Sequence, residues 1–154
     1  MAPGWARPLR LIQRLLATGN GSAALVLRVP VGIIFAAHGA QKLFGWFGGH
    51  GLEGTGQFFA SIGLAPGYLM ALLAGAAEFF GGLALIVGLL VRPAGAALAF
   101  AMLVAIVSAH GGKGFFLASG GLEYALALLA AALSLAFSGA GRCSLDRAFA
   151  RSRS

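Results

Sequence analysis

Four nearly continuous apolar runs dominate the chain, at roughly Leu25 to Phe44, Tyr68 to Leu90, Pro93 to His110 and Gly121 to Phe137. A hydrocarbon span takes about 20 mostly apolar residues, so the last two runs are short but usable. The runs are continuous and do not alternate. That favours helices, which satisfy their own backbone in lipid, over the strands of a barrel. With 154 residues, 59% of them hydrophobic and 10% charged, a soluble core of this size could not hide the apolar surface. The expected fold class is therefore all-α, an integral membrane four-helix bundle over residues 22–138.

Basic residues set the expected orientation. Arg7, Arg10 and Arg14 precede the first span, Arg92 lies in the second connection, and Arg142, Arg147, Arg151 and Arg153 follow the fourth; the other connections hold only Lys42 and Lys113. The positive-inside rule makes both termini cytoplasmic and turns the other two connections to the far side. The formal charge of +7 is thus an orientation signal and an attraction for anionic membrane lipids, and not a reason to expect nucleic acid.

The first twenty residues lack the apolar core and cleavage site of a signal peptide. Trp5, Leu9, Ile12 and Leu16 fall opposite Arg7, Arg10 and Arg14 on a helical wheel, so residues 1–21 are expected to form an interfacial cytoplasmic amphipathic segment. Residues 139–154 read as a basic cytoplasmic tail. The single cysteine, Cys143, lies in that tail and has no partner for an internal disulfide.

A stretch from Ala37 to Glu53, AHGAQKLFGWFGGHGLE, returns in shortened form from Ala109 to Glu123, AHGGKGFFLASGGLE. His38, Lys42 and Glu53 correspond to His110, Lys113 and Glu123, which suggests two repeated helix hairpins with polar crowns at one membrane face. The first connection is Gly-rich yet carries Trp46, Phe47, Phe58 and Phe59, so a surface-lying or re-entrant segment with a short helix around Thr55 to Ser61 is expected. Small residues recur every four positions at Gly32, Ala36 and Ala40 and at Ala97, Ala101, Ala105 and Ala109, the pattern of close helix packing in membranes. Arg92-Pro93 is expected to form a tight turn.

Ionisable residues inside apolar runs are costly, about 2.5 to 3.5 kcal/mol at a bilayer centre, and so point to function. Glu78 lies ten residues past Tyr68, about 15 Å along a helix and near mid-membrane. His38 and Lys42 share a helix face one turn apart, and Lys42 is within reach of Glu78 or Glu123. His110 ends the third span and Glu123 opens the fourth. Arg28 enters from the cytoplasmic side, either snorkelling to that surface or contributing to ligand binding. Glu53 is set aside as an easily solvated loop residue.

The cluster fits several chemistries. Proton-coupled quinone reduction would use Glu78, His38 and His110 to move protons, with Lys42, Glu123 and Arg28 binding the ligand. Two His and two Glu offer metal ligands, although the Glu-x-x-His spacing of carboxylate-bridged metal bundles is absent. His38 and His110 offer axial haem ligands. A purely structural network of paired charges fits as well. No phosphate-binding loop, G-x-S-x-G, CxxC or dinucleotide fingerprint is present.

The series Arg28, His38-Gly39, Lys42, Phe58 to Gly63, Glu78, Gly81-Gly82-Leu83-Ala84-Leu85, Gly88-Leu89 and Arg92 resembles the DoxX family of small four-helix membrane proteins. Met102, Ala105, His110, Gly114-Phe115, Glu123 and the tail from Gly139 to Asp146 extend the resemblance, which covers about Leu25 to Asp146. One departure is Gly139-Ala140-Gly141, where Gly-Pro-Gly is expected. The resemblance implies a bacterial inner-membrane protein with relatives such as the membrane subunit of thiosulfate:quinone oxidoreductase. It also implies a quinone or small sulfur compound as ligand, and redox or sulfur-handling partners. A non-catalytic anchor for a soluble redox enzyme, a small-ligand or lipid carrier and a homo-oligomer are the alternatives it leaves open.

Overall fold

The structure, a computed structural model, describes residues 21–152; the expected amphipathic helix of the first twenty residues lies outside them. Among the described residues it is all-helical. Helix α1 runs Ala23–Phe44, α2 Gly51–Ser61, α3 Gly67–Val87, α4 Val91–Ser108, α5 Glu123–Ser138 and α6 Leu145–Arg151. Helices α1, α3 and α4 are long and apolar enough to cross a membrane, and α5 is a shorter apolar helix of 16 residues. Large apolar side chains such as Val26, Ile33, Phe80, Phe100 and Phe137 point outward along these helices. That is the surface a lipid solvent requires and water would penalise.

Two antiparallel pairs build the bundle. Helix α1 packs along α3, and α4 along α5, with α3 against α4 joining them. The α1–α3 interface is made of backbone approaching backbone. A Cβ on Gly32 would lie 2.7 Å from the Gly82 carbonyl oxygen, one on Gly82 would strike Ala36, and one on Gly39 would strike the Phe79 backbone. Without a hydrophobic drive between helices in lipid, such dispersion contacts and shape fit hold the pair. Helix α3 offers its own stripe of small buried residues, Gly67, Ala71, Gly75 and Gly82.

The second small-residue seam holds only in part, with Ala101 and Ala105 partly buried against the core. Ala97 is exposed, and the buried face of α4 is Val91, Gly95, Leu98, Ala99 and Met102. A Cβ on Gly95 would lie 2.8 Å from both the Ala132 oxygen and the Ala136 nitrogen of α5. Spacing alone cannot tell which of several Ala and Gly stripes faces a neighbour.

Register explains the first connection. Gly39 meets Phe79, and Gly75 meets Leu43 two residues before α1 is capped at Gly45. The first eight residues of α3 therefore overhang α1, and α2 fills the space, with Gly56 and Ala60 against Gly67. The expected short helix starts earlier than Thr55, at Gly51.

The α3–α4 turn, the start of α1 and the tail meet at what we term the terminal face; the other end is the loop face. The turn comes before Arg92-Pro93, at Gly88–Leu90, where Gly88 (φ +74°) and Leu90 (φ +51°) take left-handed conformations. Arg92 and Pro93 fall in the first turn of α4, where proline needs no N–H partner. The tail packs on this turn and does not dangle. Arg28, 1% exposed, spends all five guanidinium N–H groups on carbonyls: Nε on Ala140 (3.0 Å), Nη1 on Leu85 (2.8 Å) and Ile86 (2.6 Å), and Nη2 on Cys143 (2.5 Å) and Arg142 (3.4 Å). Leu85 and Ile86 belong to the last turn of α3, whose carbonyls lack helical partners and carry the negative end of its dipole. Asp146 caps the next helix in turn, accepting from Leu90 N (2.7 Å) and Val91 N (3.0 Å), while its own N–H donates to Gly88 O (2.9 Å).

Two outcomes test this architecture. Gly39→Ala should lower the stability of detergent-solubilised protein by about 1–3 kcal/mol through overpacking, whereas Gly21→Ala, with only the Ala23 nitrogen within 4 Å, should leave thermal unfolding unchanged. At Asp146, burial pushes the carboxyl above the ordinary carboxylate range, against the pull of the Val91 and Leu90 N–H groups and of Arg28. It then binds its proton more tightly folded than unfolded. Its contribution to stability is complete below the ordinary carboxylate range and falls as pH rises through the folded value. Melting temperatures from pH 3 upward should show that decline in the wild type and not in Asp146→Asn.

Candidate functional site

Lys42 and Glu78 meet at the loop face. Counted along α3, Glu78 is a mid-helix residue, but the overhang brings it level with the last turns of α1. There Lys42 Nζ lies 2.5 Å from Glu78 Oε2, with the carboxylate side chain 5% and the lysine side chain 21% exposed. A carboxylate so placed is tolerable because its charge is paired. The lysine stem lies along Gly75, where any side chain on α3 would meet Lys42 Cβ at 3.2 Å. The small residue of α3 makes room for the cation to reach down to the acid.

His38 stands one turn below Lys42 on α1. Its Nδ1–H donates to the Ile34 carbonyl (3.0 Å), so that in the neutral ring Nε2 is the acceptor. The ring lies 6.1 Å from that of Tyr124, in the first turn of α5. Lys42 uses one of its three N–H groups on Glu78, and Glu78 one of its two oxygens. At the same end of the bundle Phe44 packs edge to face on Phe79 at 5.3 Å and against Trp46 at 4.9 Å.

The remaining candidates are engaged by backbone. His110 Nδ1–H donates to the Gly120 carbonyl (2.8 Å), bridging the third connection, and Glu123 accepts from Leu117 N (2.6 Å). Glu123 therefore meets neither Lys42 nor Glu78. The two copies of the repeat differ locally: His38 is inside α1, whereas His110 lies past the end of α4. Glu53 sits in the first turn of α2 with Gln57 (3.2 Å), on the surface as expected.

Arg28 is a correction to the expected ligand-binding set. It neither snorkels to solvent nor joins the crown: it lies fourteen residues from Lys42, about 21 Å along α1, with every donor committed to the terminal face. Sequence reasoning missed Tyr124. Its position directly after Glu123, in the first turn of a helix facing α1, was the available signal.

Among the described residues no three His, Cys, Asp or Glu side chains converge as a metal set would. The crown is instead a linked pair of contacts, Lys42–Glu78 and His38–Tyr124, with hydrogen-bonding capacity left on Lys42, Glu78 and His38.

Comparison with known proteins agrees with this reading of the chain. The DoxX family model matches residues 23–111, from the start of α1 to just past α4. A Bacillus subtilis (strain 168) protein named "Putative oxidoreductase CatD" is 38% identical over 122 residues, covering 79% of this chain and 83% of its own length. An uncharacterized Haemophilus influenzae protein is 36% identical over 130 residues, covering 80% of this chain and 87% of its own. No solved structure matches. On these grounds, together with its apolar helical bundle, the chain belongs to the DoxX family of membrane proteins.

Proposed function

We propose that this protein is a redox-associated membrane subunit whose loop-face crown holds a quinone or a small sulfur compound and supplies protons to it. The observation that carries the reading is the Lys42–Glu78 pair, buried among apolar helices with His38 one turn away. The oxidoreductase name of the Bacillus subtilis relative supports the redox half. Reducing a quinone takes two electrons and two protons. In this reading the electrons come from a soluble redox or sulfur-handling partner, and the chain's own residues position the ring and move the protons.

The residues suit such a ring. A free N–H on Lys42 donates to one ring oxygen, while His38 Nε2 accepts from the reduced hydroxyl. Tyr124, its ring 6.1 Å from that of His38, offers a flat wall. Glu78 reloads the lysine across their short contact, acting as a general acid and base.

The chain in this reading sits in a bacterial inner membrane with both termini cytoplasmic. Arg92, Arg142, Arg147 and Arg151 at the terminal face, against Lys42 and Lys113 towards the loop face, support that orientation.

Glu78→Gln keeps the shape of the side chain and removes its proton chemistry. Thiosulfate- or sulfide-dependent quinone reduction in membranes carrying this variant should fall by at least about a hundredfold, the usual range for loss of a general acid–base group. Rates that stay at wild-type level would end the enzyme reading for those substrates and leave the pair a structural one. The pairing itself has a separate readout. Lys42→Met alone should destabilise the protein by about 3 kcal/mol by stranding a buried carboxylate, and the double variant Lys42→Met/Glu78→Leu should recover most of that loss.

A further inference from the structure

A groove of about 580 Å³ runs along the outward side of the α4–α5 pair, walled by Ala96, Phe100 and Leu103 of α4 and by Leu129, Leu133 and Phe137 of α5. It is apolar along its length except at one end, where Arg92 closes it at the terminal face. We propose that this groove is a binding site for one anionic glycerophospholipid, its acyl chain along the groove and its phosphate on Arg92.

Length argues for a lipid. From Arg92 to Leu103 is eleven residues, about 16 Å of helix, which is one leaflet of a hydrocarbon core about 30 Å thick. A groove that begins at the membrane surface and ends at the bilayer middle has the dimensions of an acyl chain anchored by its head. A ligand entering from water would need neither that depth nor that open flank.

Charge argues for an anionic one. Arg92 Nη1 donates to the Phe137 carbonyl at 2.7 Å and to the Ala136 carbonyl at 3.4 Å, the unsatisfied end of α5, and this holds the guanidinium at the groove mouth. The described part of this face carries Arg92, Arg142, Arg147 and Arg151, while its one carboxylate, Asp146, is 1% exposed and turned onto backbone N–H groups. A guanidinium among further cations, with the carboxylate among the described residues of that face turned inward, favours a phosphodiester over a zwitterionic head group that brings its own cation. Packing leaves the site open, because α1 and α3 contact the α4–α5 pair from its other side and Phe100 and Phe137 stay about 68% and 77% exposed.

Native mass spectrometry of the full-length protein in detergent, titrated with phosphatidylglycerol or phosphatidylcholine, tests this. The wild type should retain one phosphatidylglycerol in preference to phosphatidylcholine. Arg92→Gln should weaken phosphatidylglycerol roughly fivefold without changing phosphatidylcholine, the effect of one basic side chain at a membrane surface. Leu103→Trp, which fills the groove and keeps Arg92, should reduce retention of both lipids while melting at the wild-type temperature. Arg147→Gln, outside the groove, should bind like the wild type. Equal retention of the two lipids by the wild type would overturn the proposal, as would adducts unchanged in both groove variants. An Arg147→Gln loss matching that of Arg92→Gln would reduce it to diffuse surface charge. A lipid-free dimer that Leu103→Trp splits would assign the groove to a second copy of the chain.

Discussion

The bundle depends on Arg28. A helix end inside a membrane bundle is a liability, because its last carbonyls have no helical partner and no water to turn to. Here α3 ends and α4 begins within three residues, at a turn packed under α1 and the tail. Five carbonyls converge on one guanidinium, two from the end of α3 and three from the segment after α5. Asp146 then takes the two N–H groups that open α4. One cation and one anion, neither paired directly with the other in a salt bridge, close the same turn from opposite signs of the helix dipole. Gly88 fits the same knot: a Cβ there would meet Ser144 Cβ at 2.5 Å and Arg28 Cζ at 3.0 Å. The tail is thus part of the fold, contributed from far along the chain to finish a turn that cannot finish itself.

With that end fixed, small residues set the rest. Gly32, Gly39 and Gly82 let α1 and α3 touch along their backbones, and contacts that close admit only one register. The register creates the α3 overhang, the overhang creates the place for α2, and it brings a mid-helix carboxylate opposite the end of α1. The Lys42–Glu78 pair is in this sense a consequence of glycine packing. It also contributes in return, since a buried acid without its lysine would be costly.

How much of this could be read in the chain follows from what sequence signals measure. The four apolar runs gave the helices because hydrophobicity over a span is a sum and tolerates errors at each position. Lys42 with Glu78 was within reach of a reading based on helix pitch and depth, and the aromatic first connection was correctly expected to carry a short helix. The Arg28 contacts were not legible. They are side chain to backbone, across more than one hundred residues to the tail, and carbonyls leave no mark in a sequence. The seam of α4 was legible only in part, for a different reason: Ala101 and Ala105 do pack on the core, but among so many Ala and Gly residues the four-residue spacing occurs on more than one face, and only the partner helix decides between them. The repeat placed its two crowns at one end correctly but hid their difference, since one histidine lies within a helix and the other beyond one.

The two ends of the molecule treat charge in opposite ways. At the terminal face Arg28 and Asp146 are saturated by backbone groups. A side chain whose donors are all committed to main-chain carbonyls cannot exchange partners without opening the fold. At the loop face Lys42 and Glu78 meet side chain to side chain and retain donors and acceptors beyond that contact, while His38 bonds the Ile34 carbonyl through Nδ1 and has Nε2 left over. No helix end depends on the Lys42–Glu78 pair. The loop face therefore keeps side-chain hydrogen-bonding capacity in reserve, while the terminal face commits its own to closing the helix ends.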